Sequence, residues 1–226
     1  MLGIACIVSF FFPVTVIVYN RFYKYRSLIA LLIYFFIAAT SNMMAEGFLP
    51  LPSSFQTFYV LASNYLDVPL MLTGLLFFCP NRQKQHIIYI LIASFVAYEL
   101  VITCIFGFSR ESITYIVGPG FILILLYSSY LFARQVRFST MHRKNPGRVI
   151  MLAAILFVYA CYTLIYYFYY IQRTPYKSDV LSIYFIASFA ASTLIALGLH
   201  LMRKRMKELQ SLRTTRKELA LFFDHR

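Results

Sequence analysis

Asp67 and Glu99 are the carboxylates of this chain that lie deep inside long apolar runs, and its chemistry is to be sought around them. A charged side chain at the centre of a bilayer costs at least about 2.5 kcal/mol on insertion scales, so an ionisable group there needs a reason. In "LASNYLDVPLML" Asp67 follows Asn64 by three residues, which puts both on one helical face with Val60, Met71 and Gly74. Glu99 shares a face with Phe95 and Thr103, and Asn42 precedes Glu46 by four residues. The run "VYACYTLIYYFYYI" brings Tyr159, Tyr162, Thr163, Tyr166 and Tyr170 to one side, and the last apolar run adds Tyr184, Ser188 and Ser192.

Removal from water favours the neutral form of an acid. As neutral acids, Asp67 and Glu99 can donate hydrogen bonds to tyrosine or amide oxygens. As anions they can take up a proton, a metal ion or an organic cation, and tyrosine faces suit an organic cation as well. The spacing therefore predicts a ligand-binding or proton-relay cluster of Asp67, Glu99, Asn64, Asn42, Tyr159, Tyr162 and Tyr166. The plainer alternative is that these groups hydrogen-bond to one another and hold helices together, at roughly 0.6–2 kcal/mol per bond. Tyr169 and Tyr170, near a span end, read as an interfacial aromatic belt, and Glu46 as a boundary residue.

Other chemistries lack their residues. The sequence has no HExxH, P-loop or GxSxG motif, so no catalytic residue and no cofactor is assigned. His86, His142, His200 and His225 show no ligand spacing, and no metal site is expected. Cys6, Cys79, Cys104 and Cys161 all fall in apolar runs and read as buried, inert thiols. The last apolar run contains no lysine, which excludes a retinal Schiff base there.

The elements that must carry the cluster follow from composition. Of 226 residues, 61% are hydrophobic and 13% charged, about half the charged fraction of a soluble domain. The expected fold is all-α: a polytopic membrane protein, a bundle of seven transmembrane helices. The spans run over 2–19, 28–46, 57–79, 87–108, 113–132, 149–171 and 180–202, each near the ~20 residues that cross the hydrocarbon core. The first reads as a retained span, since no basic stretch precedes it and no cleavage motif follows. Pro13, Pro69 and Pro119 fall within spans, where each removes a backbone donor and leaves a carbonyl for a neighbour to satisfy.

Eighteen of the 21 Lys and Arg residues fall in alternate loops and the C-terminal tail; only Arg110, Arg173 and Lys177 fall on the other side. The positive-inside bias then predicts an outside N-terminus and a cytoplasmic C-terminus. It also accounts for the net charge of +13 without nucleic acid as a partner. Short loops and an uncleaved first span fit a bacterial inner (plasma) membrane. The "EGFLPLPSSFQ" loop cannot continue a helix, and "RQVRFSTMHRKNPGR" reads as a loop ending in an Asn-Pro-Gly turn.

Residues 1–202 thus form the transmembrane bundle, and 203–226 a basic cytoplasmic helical tail. The tail has no Gly or Pro to stop the seventh span, which can run on for about six turns. Arg203, Lys204, Arg205 and Lys207 are placed to meet lipid headgroups or a partner. Leu209, Leu212, Leu219 and Phe223 have the heptad-like spacing of a helix pairing with itself or with a signalling partner. The function expected is a sensor or receptor-like protein that binds a small ligand or protons in an outward-facing polar pocket and signals through the tail. A small-solute or ion-coupled transporter is the first alternative and a membrane-embedded lipid-modifying enzyme the second, though a nucleophile for enzymatic work is lacking.

Overall fold

The structure is a computed structural model that describes residues 1–79, 82–142, 146–172 and 177–223. Among these there is helix and no strand. The helices are α1 Leu2–Tyr19, α2 Arg26–Ala45, α3 Ser53–Leu75, α4 Arg82–Phe106, α5 Arg110–His142, α6 Pro146–Tyr166 and α7 Lys177–Phe223. All seven are long and apolar enough to cross a membrane. The outward surfaces carry large apolar side chains such as Leu100, Ile105 and Leu126, each more than 60% exposed. Water would not tolerate such a coat over every helix, and lipid would favour it. The chain is an integral membrane protein.

The helices pack in chain order, with α7 closing the ring against α1 and α3 lying between α2, α4 and α5. α4 is peripheral: only 17% of its most apolar window is buried, against 39% for α1, α2, α3, α5 and α7. The tightest crossing joins α6 to α7. A Cβ at Gly147 would fall 2.5 Å from the Gly198 carbonyl oxygen, and one at Gly198 would fall 2.7 Å from that of Gly147. Glycine at both positions lets the two backbones touch. Deeper in the bundle, α1 meets α7 through Ser192 Oγ donating to Ser9 Oγ at 2.7 Å, both fully buried.

Several boundaries differ from the sequence reading, each for a local reason. α3 begins at Ser53 rather than 57, because Pro52 precedes the helix and its carbonyl accepts the Gln56 N–H. α5 runs ten residues past 132, to His142, so most of the expected basic loop is helix. Pro146 and Gly147 belong to the first turn of α6 instead of a reverse turn, proline being well suited to a helix start. The expected end of α2 holds. Gly47 takes φ 78°, with Phe48 N–H on Met43 O and Gly47 N–H on Met44 O, a Schellman ending that needs a left-handed residue.

The cysteines also divide. Cys6 and Cys79 are buried and Cys161 half-buried, but Cys104 is exposed on the outer side of peripheral α4. All four thiols are free.

Candidate functional site

The sequence "GPG" at 118–120 shows how α5 is shaped to hold the site. A Cβ on Gly118 would fall 2.6 Å from Tyr166 Cζ, and one on Gly120 would fall 2.5 Å from a Val68 methyl. Both glycines make room for neighbouring helices to press against α5. Between them, Pro119 cannot donate to the Tyr115 carbonyl. Tyr98 of α4 does so instead, its hydroxyl 2.9 Å from Tyr115 O. Tyr166 in turn donates to Thr114 O at 2.7 Å. α4 and α6 are thereby both fastened to one stretch of α5.

Beside this stretch lies a cavity of about 220 Å³ enclosed by α2, α3, α5, α6 and α7. Asp67, Asn64, Asn42, Tyr162 and Tyr166 line it, five of the seven residues predicted to form the cluster. Asp67 is the one charged type among the lining residues, and no Lys or Arg is present there. Tyr159 stands behind Asp67, fully buried, and its hydroxyl donates to Asp67 Oδ1 at 3.1 Å. The Tyr34 hydroxyl interacts with both of them. Asp67 thus sits at the end of a tyrosine pair and keeps part of its surface open to the cavity.

The other groups are tied down as firmly. Asn42 donates to Ala38 O at 2.8 Å and to Tyr184 Oη at 3.0 Å, linking α2 to α7. Tyr162 Oη pairs with Ser188 Oγ at 2.8 Å, and its ring stacks on Tyr184 at 5.6 Å. Phe121 packs edge-on against Tyr159 at 5.5 Å. Asn64 commits its amide nitrogen to Val60 O at 2.7 Å. These bonds fix rotamers, so the cavity wall is preorganised and not a chance gap between loose side chains.

Glu99 is placed elsewhere. It is 6% exposed, it does not line the cavity, and its Oε1 has no hydrogen-bond partner. Its helix, α4, packs mainly on α3 and α5, outside the ring that encloses the cavity. Thr103, one turn on, donates to the Glu99 carbonyl at 2.7 Å and also reaches Tyr65 Oη at 2.9 Å.

Sequence reasoning missed Tyr34 and Ser41. Tyr34 precedes Asn42 by two helical turns, so the face that predicted Asn42 could have found it. Tyr170, assigned to the interfacial belt, lines the cavity, whereas Tyr169 is exposed as expected. Tyr170 stands four residues after Tyr166 and so keeps the face that helical spacing gave it, while a π-helical stretch over Tyr167–Ile171 ends α6 there. The Tyr170 ring packs on Tyr166 at 5.4 Å.

Of the tail residues expected at headgroups, Arg203 places its guanidinium 5.6 Å from the centre of the Tyr19 ring. The side chains of Lys204, Arg205 and Lys207 lie outside the described ones, as do those of Leu209, Leu219 and Phe223. Leu212 is 65% exposed.

The chain matches no family model, no curated protein and no solved structure among known proteins. Its function must be argued from the site.

Proposed function

We propose that the chain is a receptor-like membrane sensor, with its N-terminus outside and its C-terminus cytoplasmic, that takes a small ligand or protons into the tyrosine-walled cavity at Asp67. The orientation rests on the bias of Lys and Arg toward alternate loops and the tail. The carrying observation is that α7 both lines the cavity, through Tyr184, and continues as one helix to Phe223, 47 residues in all. Such a helix spans about 70 Å, well beyond a bilayer of about 40–45 Å including headgroups. A change at Tyr184 therefore has a direct mechanical route to the basic tail.

A ligand with a cationic group would meet Asp67, which Tyr159 holds from behind, and the rings of Tyr34, Tyr162 and Tyr166. The test is a thermal melt of the purified protein with and without candidate ammonium compounds and across pH. Asp67→Asn should abolish any ligand- or pH-dependent shift; a shift that survives the substitution refutes the reading.

A transporter coupled to H⁺ or Na⁺ is the second reading. A specific observation favours it: another cavity meets the Asp67 cavity at Asn64 and Tyr170, so solute could pass in stages. Asp67-dependent uptake into proteoliposomes would select this reading over the sensor.

A further inference from the structure

The second cavity, about 390 Å³, is lined by residues of α2, α3 and α5 and by Tyr169 and Tyr170. Its one charged lining residue is Arg110, the first residue of α5. The start of α5 is held in place. Ser109 and Ser112 cap each other reciprocally, N–H to Oγ at 3.3 Å both ways, and Ser112 Oγ also pairs with Tyr65 Oη of α3 at 2.9 Å. Arg110 therefore has a defined place beside α3 even though its side chain is exposed.

The two cavities share Asn64 and Tyr170 in their walls. They follow one another along α3, from Gln56 and Thr57 in the second cavity to Asp67 and Leu70 in the first. One carries a single cation and the other a single carboxyl. The geometry points to one continuous two-lobed site for an elongated zwitterion, with an ammonium group seated at Asp67 and a carboxylate at Arg110. This rests on the reading of the Asp67 cavity as a ligand site and adds the ligand's class.

Size narrows the class further. Thr57 and Asp67 are ten residues apart on α3, an axial distance of about 15 Å. A ligand that runs the length of both lobes is therefore on the order of 15 Å long. An extended peptide covers about 3.3–3.6 Å per residue, so three or four residues fit. The guanidinium offers a carboxylate two parallel hydrogen bonds. At the other end the tyrosine faces and Asp67 suit a terminal ammonium. A short, uncapped peptide, or an ω-amino acid of equal length, satisfies both ends.

The experiment is calorimetric binding to the full chain in lipid nanodiscs, with tri- and tetra-alanine as probes. The C-terminal amide removes the carboxylate and the N-acetyl form removes the ammonium. The free peptide should bind best. Amidation and Arg110→Gln should each weaken it by about tenfold, with no further loss when combined. N-acetylation and Asp67→Asn should pair in the same way at the other end. Arg110→Gln changes an exposed side chain, and an unchanged melting temperature would verify its fold. Equal binding of acid and amide, or equal loss for both in Arg110→Gln, overturns the two-lobed site. If no peptide binds but an ammonium- or pH-dependent melting shift still requires Asp67, the inference falls and the underlying reading stands. If no response of any kind requires Asp67, both fall.

Discussion

Tyr159 and Asp67, from α6 and α3, are joined by a 3.1 Å hydrogen bond, yet these two helices meet chiefly through their shared neighbours. The tyrosine is fully buried while the acid borders a cavity, so the bond sets which way the carboxyl faces. Tyr159→Phe should destabilise the protein by about 1 kcal/mol, the usual worth of an interhelical hydrogen bond in a membrane. In a double-mutant cycle with Asp67→Asn, read by denaturation in mixed micelles, the coupling should be non-zero and of the same order. Additive losses would mean that the two residues act separately.

Gly118 and Tyr166 give a steric prediction. Alanine at 118 must displace the Tyr166 ring, since its Cβ would lie 2.6 Å from Cζ. The expected cost is about 1–3 kcal/mol from overpacking, together with loss of the Tyr166 bond to Thr114 O. Combining Gly118→Ala with Tyr166→Ala should recover much of the overpacking cost. Gly107, at φ 70° with open space around its Cβ position, should respond through backbone strain alone, with no rescue by any neighbour.

Tyr98 answers Pro119. Tyr98→Phe should cost about 1 kcal/mol, because it strips the Tyr115 carbonyl of a donor that the proline cannot supply. In a Pro119→Ala background the helix can make its own bond, and the same Tyr98→Phe change should cost markedly less. An equal cost in both backgrounds, measured by chemical denaturation, would separate the tyrosine from the proline.

Under the proposed sensor reading, removing residues 213–226 should separate sensing from output. The truncated chain should retain any Asp67-dependent melting shift, because Tyr184 and the cavity remain. It should lose partner binding or reporter response in cells. Uptake activity that survives truncation would favour the transporter reading.

The sequence made the helices legible because lipid imposes one simple demand, about twenty apolar residues per span. Asn64 and Asp67 were legible as one face, and Tyr162 and Tyr166 as another, since helical spacing fixes direction locally. Which faces meet is a different matter. Glu99 has the same apolar surroundings in sequence as Asp67, but the peripheral position of α4 keeps it out of the cavity. Tyr170 shares the face of Tyr162 and Tyr166 by spacing, and only its place near a span end made it read as interfacial belt. The end of α5 was placed ten residues early because basic residues read as loop, although they suit a helix leaving the membrane.

In the proposed sensor, the close approach of Gly147 and Gly198 would serve α7 as a fulcrum. Tyr184 lies fourteen residues before Gly198 and Phe223 twenty-five after it, arms of about 21 and 37 Å. A rigid rod pivoting there would turn a 1 Å sideways step at the cavity into a swing of about 1.8 Å, in the opposite direction, at the far tip. The basic tail would then be the long arm of a lever. The two glycines would set its gearing, and filling either with a side chain should move the pivot before it blocks the stroke.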